Sequence, residues 1–540
     1  MDRIESFKVI CKGGLDSNGN NLQLSDDNPG SATRLVNYEP SLFGGYRRIE
    51  GYEELDPDYP EVDDGTGSAE GKVLSVAVFR GDFIGDSFVI AARKDAGENS
   101  YSFYKLINGV GWEKLTTPST RIVSQGTQTL SKVRHTQFDF GSGNAIVFVD
   151  RLNPPVVYDG VDFFELTVGG DGTQNSPGGD QLLPFPSIAE VFENHLFLGG
   201  DRATPSLICH SAPNNAFDFT VASGAGQIQV GNPVVQFKPF RDNFFIFGYN
   251  TIKKISADIV SGFLLDQVTS NVGCIARDSV QEIGGDLIFL APDGLRPVAG
   301  TSRIGDVELE SISKSIQGRL VDLIRNENLD GLNAVTIRTK SQVRYFFGGE
   351  DSSLDNAQGI IGGLVSDGGQ IGWEFGNLSG IRTSCTTSEF VGREEFILHG
   401  DYNGIVYRQE KGNSFDGRDI ISVYSTPYLD FGDTQVRKVP HKINIFVRPE
   451  GKFTLNLALD YDWGSVNAAR PASYSEDFDG APPLYAGQNV KYGGPGIQYG
   501  NSTPVVVTNL QGSGYSVRAT FVTTGQSEPF SIQALVFEFA

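Results

Sequence analysis

The chain has 540 residues, of which 39% are hydrophobic and 66 are glycine, and its formal net charge is −23. Glycine without a three-residue period excludes collagen and indicates many turns between short strands. An acidic surface repels phosphate, so the charge argues against tight general binding of nucleic acid. It does not exclude a surface along which nucleic acid slides without sticking.

The cysteines and the apolar runs limit the compartment. Cys11, Cys209, Cys274 and Cys385 lie far apart and form no Cys-x-x-Cys pair. This pattern disfavours zinc and redox sites and predicts buried thiols in a protein made in a reducing cytoplasm. The first residues, MDRIESFKVICKGG, have no long apolar core, so no secretory signal is predicted. No window approaches about 18 apolar residues, so no membrane span is predicted.

Residues 1–72 are predicted to form an amino-terminal tube or linker region that contains the stretch LVNYEPSLFGGYRRIEGYEEL, residues 35–55. The pair Gly44-Gly45 predicts a tight turn or a close approach of backbone. The pair Arg47-Arg48 is suited to pairing with carboxylates, either on a neighbouring subunit or inside an ordinary hairpin. Apolar anchors are expected from Leu42, Phe43, Tyr46 and Tyr52.

A recurring unit runs from about residue 73 to 410 and consists of a short apolar run, a Gly/Asp/Asn turn and a second strand-like run. Its anchors are Phe88, Val147, Phe197, Phe245, Ile288, Phe346 and Ile397. Spacings of about 43 to 59 residues are near the blade length of a β-propeller, in which stacked blades bury one another's faces. We predict a propeller-like domain of six or seven blades over residues 73–420. An open array of hairpins or a pair of β-sandwiches is the alternative.

One segment breaks the strand pattern. A single amphipathic helix is predicted near residues 308–325, packed on the sheets or against a partner. The apolar positions at helical spacing are Leu309, Ile312, Ile316, Leu320, Val321 and Ile324.

The pattern of apolar and polar residues changes again from about Ser422. Two runs alternate apolar and polar residues on either side of a Pro-Glu-Gly turn, which is typical of an antiparallel meander. Residues 421–540 are therefore predicted to form an independent β-sandwich. The alternating apolar positions are Val439, Ile443, Ile445, Val447, Phe453, Leu455, Leu457 and Leu459.

Chemical motifs are scarce. The five histidines are dispersed, and neither a Gly-x-Ser-x-Gly elbow nor a Walker loop occurs. The adjacent acids Glu394 and Glu395 would face opposite sides of a strand. Residues 62–71 carry oxygen ligands for calcium but lack the spacing of an EF-hand, so a solvated acidic loop is favoured. We expect no catalytic residue, no cofactor and no bound metal.

Three short motifs in the first 55 residues have a defined spacing. The matching positions are Gly13, Gly14, Leu15, Ala32, Leu35, Asn37, Gly44, Gly45, Tyr46, Arg47, Arg48 and Gly51. This region resembles the start of the tail-nozzle proteins of short-tailed bacteriophages, also called tail tubular protein B or packaged-DNA stabilisation proteins. The stretch YLDFGDTQVRKVPHKINIFV also resembles phage virion β-domains. The candidate structural or interface motif comprises Gly13, Gly14, Asn37, Phe43, Gly44, Gly45, Tyr46, Arg47, Arg48 and Gly51.

The resemblance implies a structural protein of the virion tail, not an enzyme. Six copies would form a β-rich nozzle below the portal and adaptor rings, with the propeller outside, as a conduit and gate for DNA retention and ejection. Double-stranded DNA would pass through the lumen without sequence-specific binding. Tail fibres or tailspikes are further candidate partners. The alternatives are a phage-borne propeller that binds or cleaves carbohydrate, and a cellular propeller scaffold.

Overall fold

The computed structural model of the chain describes residues 4–62, 71–81, 84–141, 143–258, 262–298, 311–349, 353–354, 357–367, 370–465, 467–478 and 505–540. The protein is mainly β, with 50% strand and 8% helix, and is built from many small sheets. The predicted mainly β class is confirmed. The acidic loop proposed at residues 62–71 lies outside the described residues except at its two ends.

The amino-terminal region contributes short elements to several sheets rather than forming a unit of its own. Its elements are β1 (Glu5–Ile10), α1 (Asn21–Asp27), β2 (Arg34–Val36), β3 (Tyr38–Pro40), β4 (Tyr46–Arg48) and β5 (Tyr52–Glu54).

Five small antiparallel sheets follow in chain order. The first contains β6 (Val73–Phe79), β7 (Phe88–Lys94), β8 (Ser100–Ile107), β9 (Gly111–Leu115) and β10 (Arg121–Ile122). A two-stranded ribbon of β11 (Ser124–Gln125) and β12 (Gln128–Thr129) leads to the second, with β13 (Arg134–Asp139), β14 (Asn144–Val149), β15 (Val156–Tyr158) and β16 (Phe163–Glu165). The third contains β17 (Ile188–Phe192), β18 (His195–Gly199), β19 (Leu207–His210) and β20 (Gly226–Gln229). The fourth contains β21 (Gln236–Phe240), β22 (Asn243–Phe247), β23 (Ile252–Asp258) and β24 (Gly262–Thr269), and the fifth β25 (Gln281–Ile283), β26 (Asp286–Ala291) and β27 (Gly294–Pro297).

Two further four-stranded sheets complete this part of the chain after helix α2 (Gln317–Asn326). The sixth contains β28 (Asn333–Ile337), β29 (Gln342–Phe346), β30 (Gln358–Asp367) and β31 (Gln370–Ser379). The seventh contains β32 (Cys385–Val391), β33 (Glu394–Gly400) and β34 (Val406–Gln409), and its fourth strand is β5 from the amino terminus. Tyr407 lies opposite Glu54 in this pairing, so the first part of the chain completes the last sheet.

The seven sheets form a closed ring, because each packs on the next through its own hydrophobic cluster. Alternate residues of a strand face opposite neighbours. In β14, Ile146 and Phe148 pack against the first sheet, whereas Val147 and Val149 pack against the third. The ring closes where Val76 of the first sheet meets the seventh. The innermost strands β6, β13, β17, β21, β25, β28 and β32 line one central cavity of about 430 Å³.

This propeller-like ring matches the repeat spacing found in the sequence. Each of the seven predicted anchors lies in the second strand of a different sheet. Second strands are buried on both faces between neighbouring sheets, which is why they read as continuous apolar runs. The alternative of an open array of hairpins is wrong, since the seventh sheet packs on the first.

The carboxy-terminal strands lie in two large sheets that share one core. These strands are β35 (Ser422–Ser425), β36 (Pro440–Pro449), β37 (Phe453–Tyr461), β38 (Tyr474–Phe478), β39 (Val505–Asn509), β40 (Val517–Thr523) and β41 (Phe530–Phe539). One sheet has the order β3-β4-β41-β36-β39, with β1 also paired to β41. The other has the order β28-β29-β30-β31-β2-β35-β40-β37-β38 and is continuous with the sixth sheet of the ring. Hydrogen bonding therefore does not stop at the predicted boundary near residue 420.

Helix α2 begins later than the sequence suggested. A tighter 3-10 turn, Lys314–Ile316, precedes it, and Leu309 lies outside the described residues. The side chain of Asn18 makes two hydrogen bonds to the backbone at the start of the helix. Its Nδ2 donates to the Lys314 carbonyl at 2.6 Å, and its Oδ1 accepts from Gly318 N at 3.2 Å. Leu320 is buried in the shared core, which supports the predicted packing role. No helix in the described ranges is long and apolar enough to cross a membrane.

Ring closure through β5 yields a stability prediction. Tyr52 is buried, its ring stacks on Phe415 at 5.3 Å, and its hydroxyl accepts from Arg418 at 2.8 Å. We expect Tyr52→Ala to lower the free energy of unfolding by about 3–5 kcal/mol, because it leaves a large cavity. The measurement is urea unfolding followed by tryptophan fluorescence. Val161→Ala, at a residue 77% exposed, is the control and should change it by less than about 0.5 kcal/mol. An unfolding curve for Tyr52→Ala that overlays the wild type would contradict the closing role of β5.

Candidate functional site

The candidate motif residues lie along the amino-terminal segment that connects one carboxy-terminal sheet with the ring. At its start, Gly13 and Gly14 have φ values of 97° and 66°. Gly13 N donates to Glu374 Oε1 at 2.6 Å, and Gly14 N donates to the hydroxyl of Tyr46 at 3.1 Å. A Cβ on Gly14 would lie 2.7 Å from Phe375 N. The Gly-Gly pair therefore lets the chain pass directly against β31.

Asn37 joins the ring to the carboxy-terminal strands. It has a φ of 55°, and its buried amide Nδ2 donates to the carbonyls of Ser379 at 3.0 Å and Ile421 at 2.9 Å. Its Oδ1 accepts from Ser379 N at 2.9 Å. One side chain thus bonds the end of the sixth sheet and the segment before β35, which explains why Asn belongs at this position of the motif.

The Gly44-Gly45 pair forms the predicted tight turn between β3 and β4. Both φ values lie in the left-handed region, at 84° and 85°. A Cβ on Gly45 would lie 2.2 Å from the Ile532 carbonyl oxygen, so the predicted close approach is also present. The neighbouring Leu42 and Phe43 are 65% and 67% exposed. Neither side chain is therefore buried within the chain, although the guanidinium of Arg448 lies over the Phe43 ring at 3.6 Å.

Tyr46 and Gly51 have internal structural roles. The buried hydroxyl of Tyr46 donates to the Gly30 carbonyl at 2.8 Å, and its ring packs edge-on against Tyr424. A Cβ on Gly51 would lie 1.8 Å from the Ser414 carbonyl oxygen. Both residues fix the path of the chain, since neither position tolerates a shift of the backbone.

Arg47 belongs to an ion cluster centred on the buried carboxylate of Glu39. Glu39 accepts from Arg47 at 2.7 Å, Lys340 at 2.8 Å and Arg344 at 3.1 Å. Gln342 adds a fourth donor at 3.0 Å. Arg47 also bonds both carboxylate oxygens of Glu450, at 2.7 and 2.6 Å. Of the two alternatives for Arg47, pairing within one chain is what these contacts describe.

Arg48 is fully buried and bonds only to backbone in the contacts described. Its guanidinium donates to the carbonyls of Ser527, Ile420 and Gly525. Burial lowers the pKa of Arg48 to about 10, and the charges of Tyr38 and Asp419 offset only part of that effect. Arg48 therefore ties the loop after β40 to the segment before β35, and not to a carboxylate on a neighbour.

The cluster determines the ionisation of Glu39. Burial alone would raise the pKa of its carboxyl group, but the charges of Lys340, Arg344 and Arg47 outweigh burial and hold the pKa well below its ordinary value of 4.5. The same contacts raise the pKa of Arg344, against the opposing effect of its own burial. The cluster is therefore fully charged at neutral pH.

The central cavity of the ring is a second candidate site, and its lining is polar and mixed in charge. Lys238 of β21 pairs with Glu190 of β17, and Arg80, which directly follows β6, lies 3.9 Å from Glu389 of β32. His135 faces the same space, and burial, followed by the charge of Lys238, lowers its pKa to about 4. No Trp, Tyr or Phe is present among the described residues of the lining.

No described group of three or more His, Cys, Asp or Glu residues could hold a metal ion. All four cysteines are buried and unpaired, which confirms the predicted buried thiols. Burial raises the pKa of Cys11 and Cys209 to about 12, so their thiolates are not available as nucleophiles.

Glu394 pairs with Arg408, whereas Glu395 accepts from the backbone of residues 338 and 339. The two carboxylates therefore bond to different elements of the structure.

Sequence reasoning missed the partners of the amino-terminal arginines. Glu39, Lys340, Arg344, Glu410 and Glu450 complete the ion cluster. The charged residues of β29 were a detectable feature, because Arg344 interrupts an apolar second strand that is otherwise buried. A charge in such a strand requires a partner.

Comparisons with known proteins add little to this description. No family model and no curated protein matches the chain. Among solved structures, it is similar to Hsv2 of Kluyveromyces lactis, with 12% identity, a TM-score of 0.27, and coverage of 57% of this chain and 98% of the other. Hsv2 of Kluyveromyces marxianus gives 10% identity, a TM-score of 0.26, and coverage of 56% and 96%. At TM-scores below 0.5 these similarities define neither fold nor function.

The ion cluster yields a prediction for pH. Because the pKa of Glu39 is lower in the folded chain, the unfolded chain binds more protons on acidification. The stabilising contribution is complete above about pH 4.5 and is lost as pH falls further. We expect Glu39→Gln to lower the free energy of unfolding at pH 7 by about 3 kcal/mol and to reduce its dependence on pH in the acid range. Urea unfolding between pH 3 and 8 measures both effects.

Glu450→Gln is the matched control for this prediction. The side chain of Glu450 is 38% exposed, so its loss should cost less than about 1 kcal/mol. Equal losses of unfolding free energy for the two substitutions at pH 7 would contradict the prediction, because they would show that the burial of Glu39 adds nothing to its contribution.

Proposed function

We propose that the chain is a structural subunit of the tail nozzle of a short-tailed bacteriophage, assembled as a hexamer around a channel for DNA. One observation carries the proposal: the residues that resemble the nozzle family are those that join the ring to the carboxy-terminal sheets. Asn37 and the Glu39 cluster bond both parts at once. A motif whose residues have structural roles suits a structural protein.

The carboxy-terminal strands support the proposal as the wall-forming part. We interpret their two sheets as a β-sandwich, because both contribute to one core that contains Ile445, Leu457, Phe521 and Phe537. A large sheet with free edges can pair or pack with the next copy around an axis. The edge strands of the six-stranded sheet are β1, β3 and β39; β3 is covered by the sixth sheet, whereas β1 and β39 carry exposed residues.

Exposed apolar side chains lie on or beside that sheet. Leu42 and Phe43 occupy the β3–β4 turn, Ile10 ends β1, and Val507 lies in β39. Exposed apolar groups on several elements of one sheet are typical of an interface between subunits. We propose that this surface, which we call the turn surface, contacts the next copy. This revises the role of the turn: Phe43, and not Arg47, is the residue for contact between subunits.

The charge of the chain supports the proposed conduit. With a net charge of −23, a channel built from several copies repels the phosphates of the duplex. The DNA would then slide during ejection without adhering. The portal and adaptor rings are the proposed neighbours in the particle, and the phage tail is the proposed location.

The proposal is tested by oligomeric state and shape. We expect mass photometry of the purified chain to detect a species of six times 58.4 kDa, and negative-stain images to show six-fold rings with an axial channel. Replacing both Leu42 and Phe43 with Ser should raise the concentration needed for half-assembly at least tenfold, because the turn surface loses its apolar contacts.

Val161→Ser is the control, since Val161 is an exposed apolar residue on the ring, remote in sequence from the turn. It should assemble like the wild type. A wild-type chain that stays monomeric at every concentration, alone and with portal and adaptor proteins, would refute the nozzle proposal. Saturable binding or cleavage of polysaccharide by that monomer would support the carbohydrate alternative instead.

A further inference from the structure

A second cavity, of about 290 Å³, lies where the inner strands of the ring begin. It shares Lys132, Arg134 and Asp278 with the central cavity, so both open onto the same axis. Arg151 follows β14, and Arg277 lies in the 3-10 turn Arg277–Ser279 before β25. Four basic side chains thus face one cavity on a chain that is strongly acidic overall.

The carboxylates around this cavity do not balance the four cations. Asp278 accepts from Lys132 at 2.8 Å and from Arg134 at 2.8 and 2.9 Å, so its oxygens are occupied. Asp330 lies close enough to Arg134 to influence it electrostatically. The third lining carboxylate, Asp150, accepts from Tyr101 and Asn153 and lies 3.8 Å from Arg121, away from the cations of the cavity.

Two guanidinium groups therefore have no hydrogen-bonded carboxylate among the described residues. Arg277 donates to the Ser187 hydroxyl. The Nε atom of Arg151 is buried and has no hydrogen-bond partner. Burial, together with the nearby charges of Arg134 and Arg151, lowers the pKa of Arg277 to about 10, and the charge of Asp278 offsets only part of this effect. Like charges held close together are unfavourable in the protein without a ligand, even at half-buried residues such as Arg151 and Arg277.

We propose that this cavity, which we call the arginine cavity, binds a small molecule that carries a phosphate group. A carboxylate is satisfied by one guanidinium fork, whereas a phosphate has enough acceptor oxygens for several donors from different directions. Here the donors come from the second and fifth sheets, which the closed ring holds at a fixed separation. The volume admits inorganic phosphate or a compact phosphomonoester. The proposal is independent of the nozzle function.

The test is calorimetric titration of the full-length chain at constant ionic strength and pH 7.5. The probes are inorganic phosphate, glycerol 3-phosphate and, for comparison, acetate. We expect saturable binding of at least one phosphate probe, with a dissociation constant below about 1 mM, and none of acetate. Tighter binding of inorganic phosphate would indicate the free ion as the ligand, and tighter binding of glycerol 3-phosphate would indicate a phosphomonoester.

Arg151→Gln is the informative variant, because it removes a charge without breaking any described hydrogen bond. We expect it to weaken phosphate binding at least tenfold and to raise the thermal midpoint of the unliganded protein. Arg80→Gln, near the opposite end of the central cavity, is the control and should leave phosphate binding unchanged. Absence of saturable phosphate binding, or equal affinity in wild type and Arg151→Gln, would overturn the proposal.

Discussion

The fold depends on closing a ring of sheets with a strand taken from the opposite end of the chain. Six sheets can form from consecutive hairpins, but the seventh is completed only when β5 pairs with β34. Closing so long a loop costs entropy, and a one-residue slip would turn Tyr52 out of the core. The segment before β5 must therefore be fixed in both position and register.

The buried charge of Glu39 provides that register. Its oxygens meet donors from its own hairpin and from the sixth sheet, through Arg47, Lys340 and Arg344. A shift of β3 along the sheet would leave the carboxylate of Glu39 buried without its partners, at a cost of several kcal/mol, whereas Lys340 and Arg344 would keep only Glu410. An apolar contact at the same place would tolerate such a shift more easily, because hydrophobic burial is not directional. The ion cluster is thus better understood as a source of specificity than of net stability.

The sequence predicts what depends on local pattern and fails where distant segments meet. Second strands such as β14 and β18 read as apolar runs because sheets cover both of their faces, and their spacing revealed the ring. The Gly44-Gly45 turn follows from the conformations open to glycine. The partner of Arg47 could not be predicted, because Glu39 and Glu450 are equally ordinary acids in the sequence. The same holds for the arginine cavity, where Arg151 and Arg277 become neighbours only through the curvature of the ring.

The nine-stranded sheet has a mechanical consequence for any function of the protein. It runs from β28 in the ring to β38 without a break, and β2 is the strand that joins the two parts. Val36 pairs with Asn377 on one side, while the three residues of β2 pair with β35 on the other. A hinge there would expose backbone groups on both sides at once, and each unpaired buried group is costly. We therefore expect the ring and the carboxy-terminal sheets to move together, so that in the proposed nozzle a force on the ring would reach the channel wall.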